Sequence, residues 1–172
     1  MKLSYFYEIL FLTALILLQV LILNRIHLFG YATPILYSYF LLKLPMGRNV
    51  FFVIIAAFLM GLSIDIFLNT PGMNAAAITI VAAFQRNIRS LFFDQNEYYE
   101  EFIPSIHTTT KPFLRFAAFV VSLHIALLFM IEAFTWFNLV NTLLRIASSI
   151  LVSFALIVAI DSLMYRERKP SE

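Results

Sequence analysis

The stretch NVFFVIIAAFLMGLSIDIFLNTPGMNAAAITIVAAFQRNIRSL, residues 49–91, decides the fold. It predicts two apolar helices joined by a tight turn at residues 69–72. At 100° per residue, one narrow face of the first helix carries Ala57, Gly61 and Asp65, and one face of the second carries Ala75, Thr79, Ala82, Arg86 and Arg89. In lipid, helices associate through close backbone approach and polar contacts. We therefore expect the two small-residue stripes to face each other.

Asp65 is the residue of this hairpin that small-residue packing does not explain. A carboxylate at membrane depth is costly, which makes it a functional candidate by default. One interpretation pairs Asp65 with Arg145, with Glu132 as a second carboxylate, because such an intramembrane charge cluster would offset the burial of each charge. The other interpretation gives Asp65 to a partner interface. The sequence leaves both open.

Composition indicates a membrane protein. Of the 172 residues 62% are apolar and 13% charged, against roughly 45–50% and 25% in soluble domains. At about 20 residues per spanning helix, the length predicts an all-α bundle of six transmembrane helices in a single domain, 1–172. The chain has no cysteine, which excludes disulfides and thiolate metal sites.

The predicted spans outside the central hairpin are 5–23, 28–44, 113–134 and 139–164. The first is taken as a retained helix in which Glu8 and Gln19 share a face toward the bundle, although Glu8 could instead reach the headgroups. The second is short and contains Gly30 and Pro34, which predicts a kinked helix, with a partly re-entrant segment as the alternative.

The sizeable soluble segment is the loop 92–112, predicted to be cytoplasmic. Its acidic cluster, 94–101, is bracketed by Arg86, Arg89, Lys111 and Arg115, which can hold it against the membrane surface. An ordinary solvated loop and a docking site for a partner are both compatible with this pattern.

Charge asymmetry predicts the orientation. With six spans, one side of the membrane receives ten of the twelve Lys and Arg residues: Lys2, Lys43, Arg48, Arg86, Arg89, Lys111, Arg115, Arg166, Arg168 and Lys169. By the positive-inside rule that side is cytoplasmic. Both termini are then cytoplasmic and the Pro71-Gly72 turn faces outward. The basic residues act as topology signals, so nucleic acid is not an expected partner.

Catalytic patterns are missing from the sequence. It contains no G-x-S-x-G, H-E-x-x-H or phosphate-binding glycine loop. His124 and Glu132 lie about 12 Å apart along one predicted helix, too far to act together. We therefore expect no enzyme activity, no cofactor and no metal site, with His124 a core residue bonded to a neighbouring helix.

Four runs of sequence together resemble one known family: Pro34-Ile35-Leu36, Gly61-Leu62-Ser63-Ile64-Asp65, Asn69-Thr70-Pro71-Gly72-Met73 and the Ala75 to Ala77 triplet. The chain resembles the rod shape-determining protein MreD, specifically over 34–89 and elsewhere in hydropathy and length. The motif positions matched are Gly61, Asp65, Pro71, Gly72 and Arg86.

The resemblance implies a non-enzymatic scaffold of the cell-wall elongation machinery in the bacterial cytoplasmic membrane. Its expected partners are the lipid bilayer, an MreC-like bitopic protein and, indirectly, an MreB-like filament and peptidoglycan synthases. MreD is also similar in size and helix count to substrate-binding subunits of vitamin-type transporters. By that fold analogy, the kinked second helix with Asp65 and Arg145 could line a small pocket.

Overall fold

The computed structural model describes residues 2–25, 32–93, 102–133 and 139–164. Its helices are α1 (Lys2–Leu21), followed by a 3₁₀ turn (Leu23–Arg25), then α2 (Tyr39–Lys43), α3 (Val50–Leu68), α4 (Met73–Phe92), α5 (Thr110–Glu132) and α6 (Leu139–Leu163). The predicted roles of Gly30, of the acidic cluster 94–101 and of the basic residues 166–169 lie outside the described residues.

Four helices of the described chain are long and apolar enough to cross a membrane: Tyr5–Arg25, Val50–Leu68, Thr110–Glu132 and Val140–Leu163. The all-helical membrane character predicted from composition is confirmed to that extent. Helix α4 has 20 residues but is less apolar, because Gln85, Arg86 and Arg89 occupy its second half.

The predicted second spanning helix is wrong over residues 32–38, which are not helical. This segment, here called the extended segment, runs beside α6: the Thr33 N–H donates to Ser149 Oγ at 3.0 Å and the Ile35 N–H to Ser153 Oγ at 2.8 Å. Farther along, the Tyr39 hydroxyl donates to Asp161. Ser149 and Ser153 lie four residues apart, about 6 Å along α6, and two residues cover that distance only with an extended backbone, at about 3.3 Å each. Residues 37–38 then form a turn that leads into α2.

Side chains replace the hydrogen bonds that a helix would have provided to the extended segment. Pro34 has no N–H, so it cannot continue a helical ladder. The side-chain amide of Gln19 donates to the Pro34 carbonyl at 3.0 Å and accepts from the Leu36 N–H at 2.8 Å. It acts as a neighbouring peptide group would in a sheet. The predicted inward orientation of Gln19 is confirmed.

The core is centred on α2 and the segment that leads to it. Every residue from Ile35 to Leu42 is buried, and this stretch contacts α1, α4, α5 and α6. Helices α3 and α4 form the predicted hairpin, and α5 packs on the other side of α4. The exposed faces of α1, α3 and α6 are apolar, with Leu10, Ile55 and Leu151 among the exposed side chains. That pattern suits contact with lipid.

The bundle has two polar ends. One, called the Asp65 end, contains the α3–α4 turn, Gln19 and Ser149. The other, called the Asp161 end, contains Lys43 and Asp161.

Candidate functional site

The α3–α4 turn, at the Asp65 end, holds most of the motif residues. Helix α3 ends at Asn69, which has a left-handed backbone (φ 58°), and the Thr70 N–H closes the turn by donating to the Asp65 carbonyl at 3.0 Å. Gly72 also has a positive φ, of 80°, which glycine adopts without steric cost. The predicted tight turn is confirmed, and its two left-handed residues explain why Asn and Gly occupy it.

The Asp65 carboxylate caps the start of α4. One oxygen accepts from the Asn74 backbone N–H at 3.1 Å, from the Asn74 side-chain amide at 2.9 Å and from the Thr70 hydroxyl at 2.5 Å. The other accepts from the Ala75 N–H at 2.8 Å. A negative charge is favoured at a helix N-terminus, where the first N–H groups have no helical partner. These bonds stabilise a carboxylate that is almost completely buried.

The expected pairing of Asp65 with Arg145 does not occur among the ion pairs of the described residues. Arg145 lies instead 3.6 Å from Glu132, and both side chains are partly exposed, at 38% and 46%. Of the three residues in the predicted charge cluster, Glu132 and Arg145 therefore form a partly exposed ion pair. Asp65 lies apart from them and caps α4. Asp65 needs no cation because backbone and side-chain donors compensate its charge.

Gly61 provides the close approach that the small-residue stripe predicted. A Cβ atom on Gly61 would lie 2.5 Å from the Cα of Ala75 and 2.8 Å from the Asn74 carbonyl oxygen. Ala57 and Ala82 are also buried, whereas Arg86 is exposed. The predicted contact between the two stripes is thus confirmed at Gly61, and Arg86 lies outside it.

The matched motif positions fall into two places. Gly61, Asp65, Pro71 and Gly72 lie together, and the last three line a shallow cavity of about 480 Å³ at the turn. Pro71 is exposed there. Arg86 lies 14 residues beyond Gly72 and so about 21 Å along α4, toward the Asp161 end. The structure does not bring Arg86 to the other four.

A buried ionic cluster around Asp161 was missed as a candidate site. The Asp161 carboxylate lies 2.5 Å from Lys43 Nζ, and its side chain is completely inaccessible to solvent. It also accepts from the hydroxyls of Tyr39 and Ser105 and from the Ile106 N–H, at 2.7–2.8 Å. A signal was present in the sequence, because Asp161 and Lys43 are opposite charges near the same predicted membrane surface. The cluster joins α2, α6 and the loop before α5.

Arg89 and Gln85 of α4 cap the short helix α2. The Arg89 guanidinium donates to the carbonyls of Leu41, Leu44 and Pro45 at 2.9–3.1 Å, and the Gln85 amide also donates to Leu41. A cation is favoured at a helix C-terminus, where the last carbonyls lack helical partners. Arg89 is therefore a structural residue of the fold.

Arg48 ties the start of α3 to α1. It forms an ion pair with Glu8, and its guanidinium lies 4.1 Å from the centre of the Tyr5 ring. Burial acts to lower the pKa of Arg48, but the hydrogen bonds and electrostatic interactions with Glu8 and Tyr5 together outweigh it, and the pKa lies above its ordinary value. Arg48 is thus always cationic. Glu8 faces the bundle, as the shared face with Gln19 predicted.

His124 is completely buried in α5 and packs edge-on against Tyr37, with ring centres 4.9 Å apart. Neither ring nitrogen has a hydrogen-bond partner among the described residues. The hydrogen bond expected between His124 and a neighbouring helix is therefore not found there. The ring of Tyr37 supplies the contact, and the Tyr37 hydroxyl donates to Asn74 at 2.8 Å.

A scan of protein-family models found no match to this chain, and searches of curated proteins and of solved structures found none either.

Proposed function

We propose that this protein is an MreD-like, non-enzymatic scaffold of the bacterial cell-wall elongation machinery. The observation that supports the proposal is the way the resembling motif folds. Gly61, Asp65, Pro71 and Gly72 form one structural unit, in which the glycine permits close helix packing and the carboxylate caps the next helix. Because these residues depend on one another structurally, their joint occurrence is a more specific indication of the family than each residue alone.

The proposed location is the bacterial cytoplasmic membrane, with six crossings and both termini inside. The second crossing is made by the extended segment and α2, and the fourth by α4. Two observations support this arrangement: residues 33–39 progress alongside 149–161 in the same direction, and the Asp161 end collects Lys43, Arg48 and Arg89. Arg25 and the Glu132–Arg145 pair then belong to the outer side.

The proposed partners are an MreC-like bitopic protein and, through it, an MreB-like filament and peptidoglycan synthases. Because Asp65 is buried and bonded through both oxygens, we assign it to the shape of the α3–α4 turn rather than to direct partner contact. Pro71 is exposed at the tip of that turn, so among the four motif residues of the turn it is the one that a partner can touch.

A substrate-binding subunit of a vitamin-type transporter is the alternative function, and one observation favours it. Interrupted helices at membrane depth often form substrate sites in transporters, and the extended segment is such an interruption. Its side chains are packed, however, because Leu36, Tyr37 and Phe40 are completely or almost completely buried. We therefore prefer the scaffold.

The function is tested in a rod-shaped bacterium that lacks its own MreD. The full chain, with an affinity tag, should restore rod shape and co-purify with an MreC-like protein. Pro71→Ala should weaken that co-purification while the purified variant unfolds at the parent temperature. As a control, Leu59→Ala removes an exposed side chain of α3 that does not line the cavity at the turn, and it should leave co-purification intact. Failure to restore shape, together with co-purification of ATPase subunits, would support the transporter alternative.

A further inference from the structure

A cleft of about 790 Å³ opens at the Asp161 end, between the start of α3 and the last turns of α4. Its described lining residues include three arginines, Arg48, Arg86 and Arg89, and no aspartate or glutamate, although Glu8 pairs with Arg48 beside it. Nothing in the scaffold proposal uses this cleft.

The three guanidinium groups are held in different ways. Arg48 is fixed by Glu8, and Arg89 by the carbonyls at the end of α2. Arg86 is exposed and takes part in no ion pair among the described residues. Glu8 offsets the charge of Arg48, and the remaining positive charge around this concave surface attracts anions. Arginine is particularly suited to phosphate because its planar group can donate two parallel hydrogen bonds.

The wall of the cleft continues onto the apolar surface of α3. Phe51, in the first turn of α3, lines the cleft and is 77% exposed. Ile55, one turn farther and on the same face, is also exposed. An amphiphile could thus place a charged group among the arginines and an alkyl chain against Phe51 and Ile55. A free inorganic phosphate ion would contact the arginines and would leave Phe51 and Ile55 uncovered.

We propose that this cleft binds the phosphate headgroup of an anionic phospholipid. Basic pockets between membrane helices on the cytoplasmic side bind such headgroups in other membrane proteins, and the apolar continuation along α3 distinguishes a lipid from soluble phosphate. The lipid site does not depend on the proposed scaffold function, so a negative result for one proposal leaves the other standing.

The test uses the purified full chain in a non-ionic detergent. Native mass spectrometry gives apparent dissociation constants for phosphatidylglycerol and, for comparison, phosphatidylcholine. Phosphatidylglycerol should bind the more tightly. Arg86→Gln should weaken its binding about tenfold, the change expected for one charge-assisted hydrogen bond. Arg86 is exposed, so its replacement should not alter the unfolding temperature of the lipid-free protein.

The matched control is Arg115→Gln, which removes the same charge from an exposed position on the first turns of α5 and does not line the cleft. It should bind phosphatidylglycerol as the parent does. Equal weakening in Arg86→Gln and Arg115→Gln would overturn the proposal, since binding would then follow net charge alone. Equal affinity for the two lipids would also overturn it. Displacement of phosphatidylglycerol by millimolar inorganic phosphate, at constant ionic strength, would assign the cleft to soluble phosphate instead.

Discussion

Asn74 donates two hydrogen bonds to one oxygen of Asp65, one from its backbone and one from its side chain. These bonds make a residue near the end of α3 the cap of α4. The hairpin is therefore joined by polar contacts at its turn and by backbone packing at Gly61.

Asp65→Asn should destabilise the protein by about 1–3 kcal/mol, the usual cost of leaving buried donors unsatisfied. An amide has one acceptor oxygen, so its NH₂ group would face the donors of Thr70, Asn74 or Ala75. Chemical unfolding in detergent measures the change. Adding Arg145→Gln should restore nothing, because Arg145 lies beside Glu132. Recovery in the double variant would show that Asp65 and Arg145 do interact.

Substitutions at Gly61 should become more harmful as the side chain grows. Gly61→Ala should cost about 1–3 kcal/mol because the new Cβ meets the backbone of Ala75, and Gly61→Leu should prevent folding.

Gly72 provides the contrast. No atom lies within 4 Å of a Cβ placed there, so Gly72→Ala and Gly72→Leu should both show the cost of the left-handed backbone, about 1–2 kcal/mol. Accumulation and melting measure both series, and a Gly61→Leu protein that melts like the parent would contradict the packing.

Asp161→Asn should destabilise far more than Glu132→Gln, although each removes one carboxylate of an ion pair. Breaking a buried pair typically costs about 3–5 kcal/mol because a charge is left uncompensated, whereas an exposed pair contributes about 0–1 kcal/mol. Lys43→Met should restore part of the loss in Asp161→Asn by removing that charge. Unfolding free energies compare the variants, and equal small effects would mean that water reaches Asp161.

Ser149→Ala and Ser153→Ala should each cost about 1–3 kcal/mol, because each leaves an N–H of the extended segment without its acceptor. Ser148→Ala is the control, since its hydroxyl bonds to carbonyls of its own helix. Hydrogen exchange of Thr33 and Ile35 should rise in the first two variants. Unchanged exchange there would contradict the assigned acceptors.

Single cysteines test the proposed orientation cleanly, since the chain has none of its own. Pro71→Cys, at the exposed turn, should react with a membrane-impermeant thiol reagent from outside the cytoplasmic membrane. Lys111→Cys, exposed at the start of α5, should react only after the membrane is opened. Reaction of both residues from the same side would exclude an odd number of crossings between them, and with it the six-crossing arrangement.

The features that the sequence predicted well are local ones. Hairpin geometry follows from Asn69, Gly72 and the spacing of Gly61, all within one short stretch. The extended segment was missed because its hydrogen-bond partners, Gln19 and the two serines of α6, are distant in the chain. Pro34 indicated only that a helix there would be disturbed.

The partners of Asp65 were missed for a different reason. Thr70 and Asn74 lie five and nine residues beyond it, and their ability to donate hydrogen bonds to a carboxylate was visible in the sequence. An arginine was considered as its partner because charges are usually matched with charges. The N–H donors of a helix N-terminus, with nearby side-chain donors, satisfy a buried carboxylate equally well.

The extended segment also constrains the order of biogenesis. The acceptor of the Thr33 N–H is synthesised 116 residues after Thr33 itself. Until α6 emerges from the ribosome, the backbone of this segment lacks the hydroxyls that complete it, and each bare N–H in hydrocarbon costs several kcal/mol. The extended segment therefore cannot complete its hydrogen bonding until α6 has been synthesised. We expect this segment to reach its final packing only after α6 has been inserted, with water or another protein as the partner of its N–H groups until then.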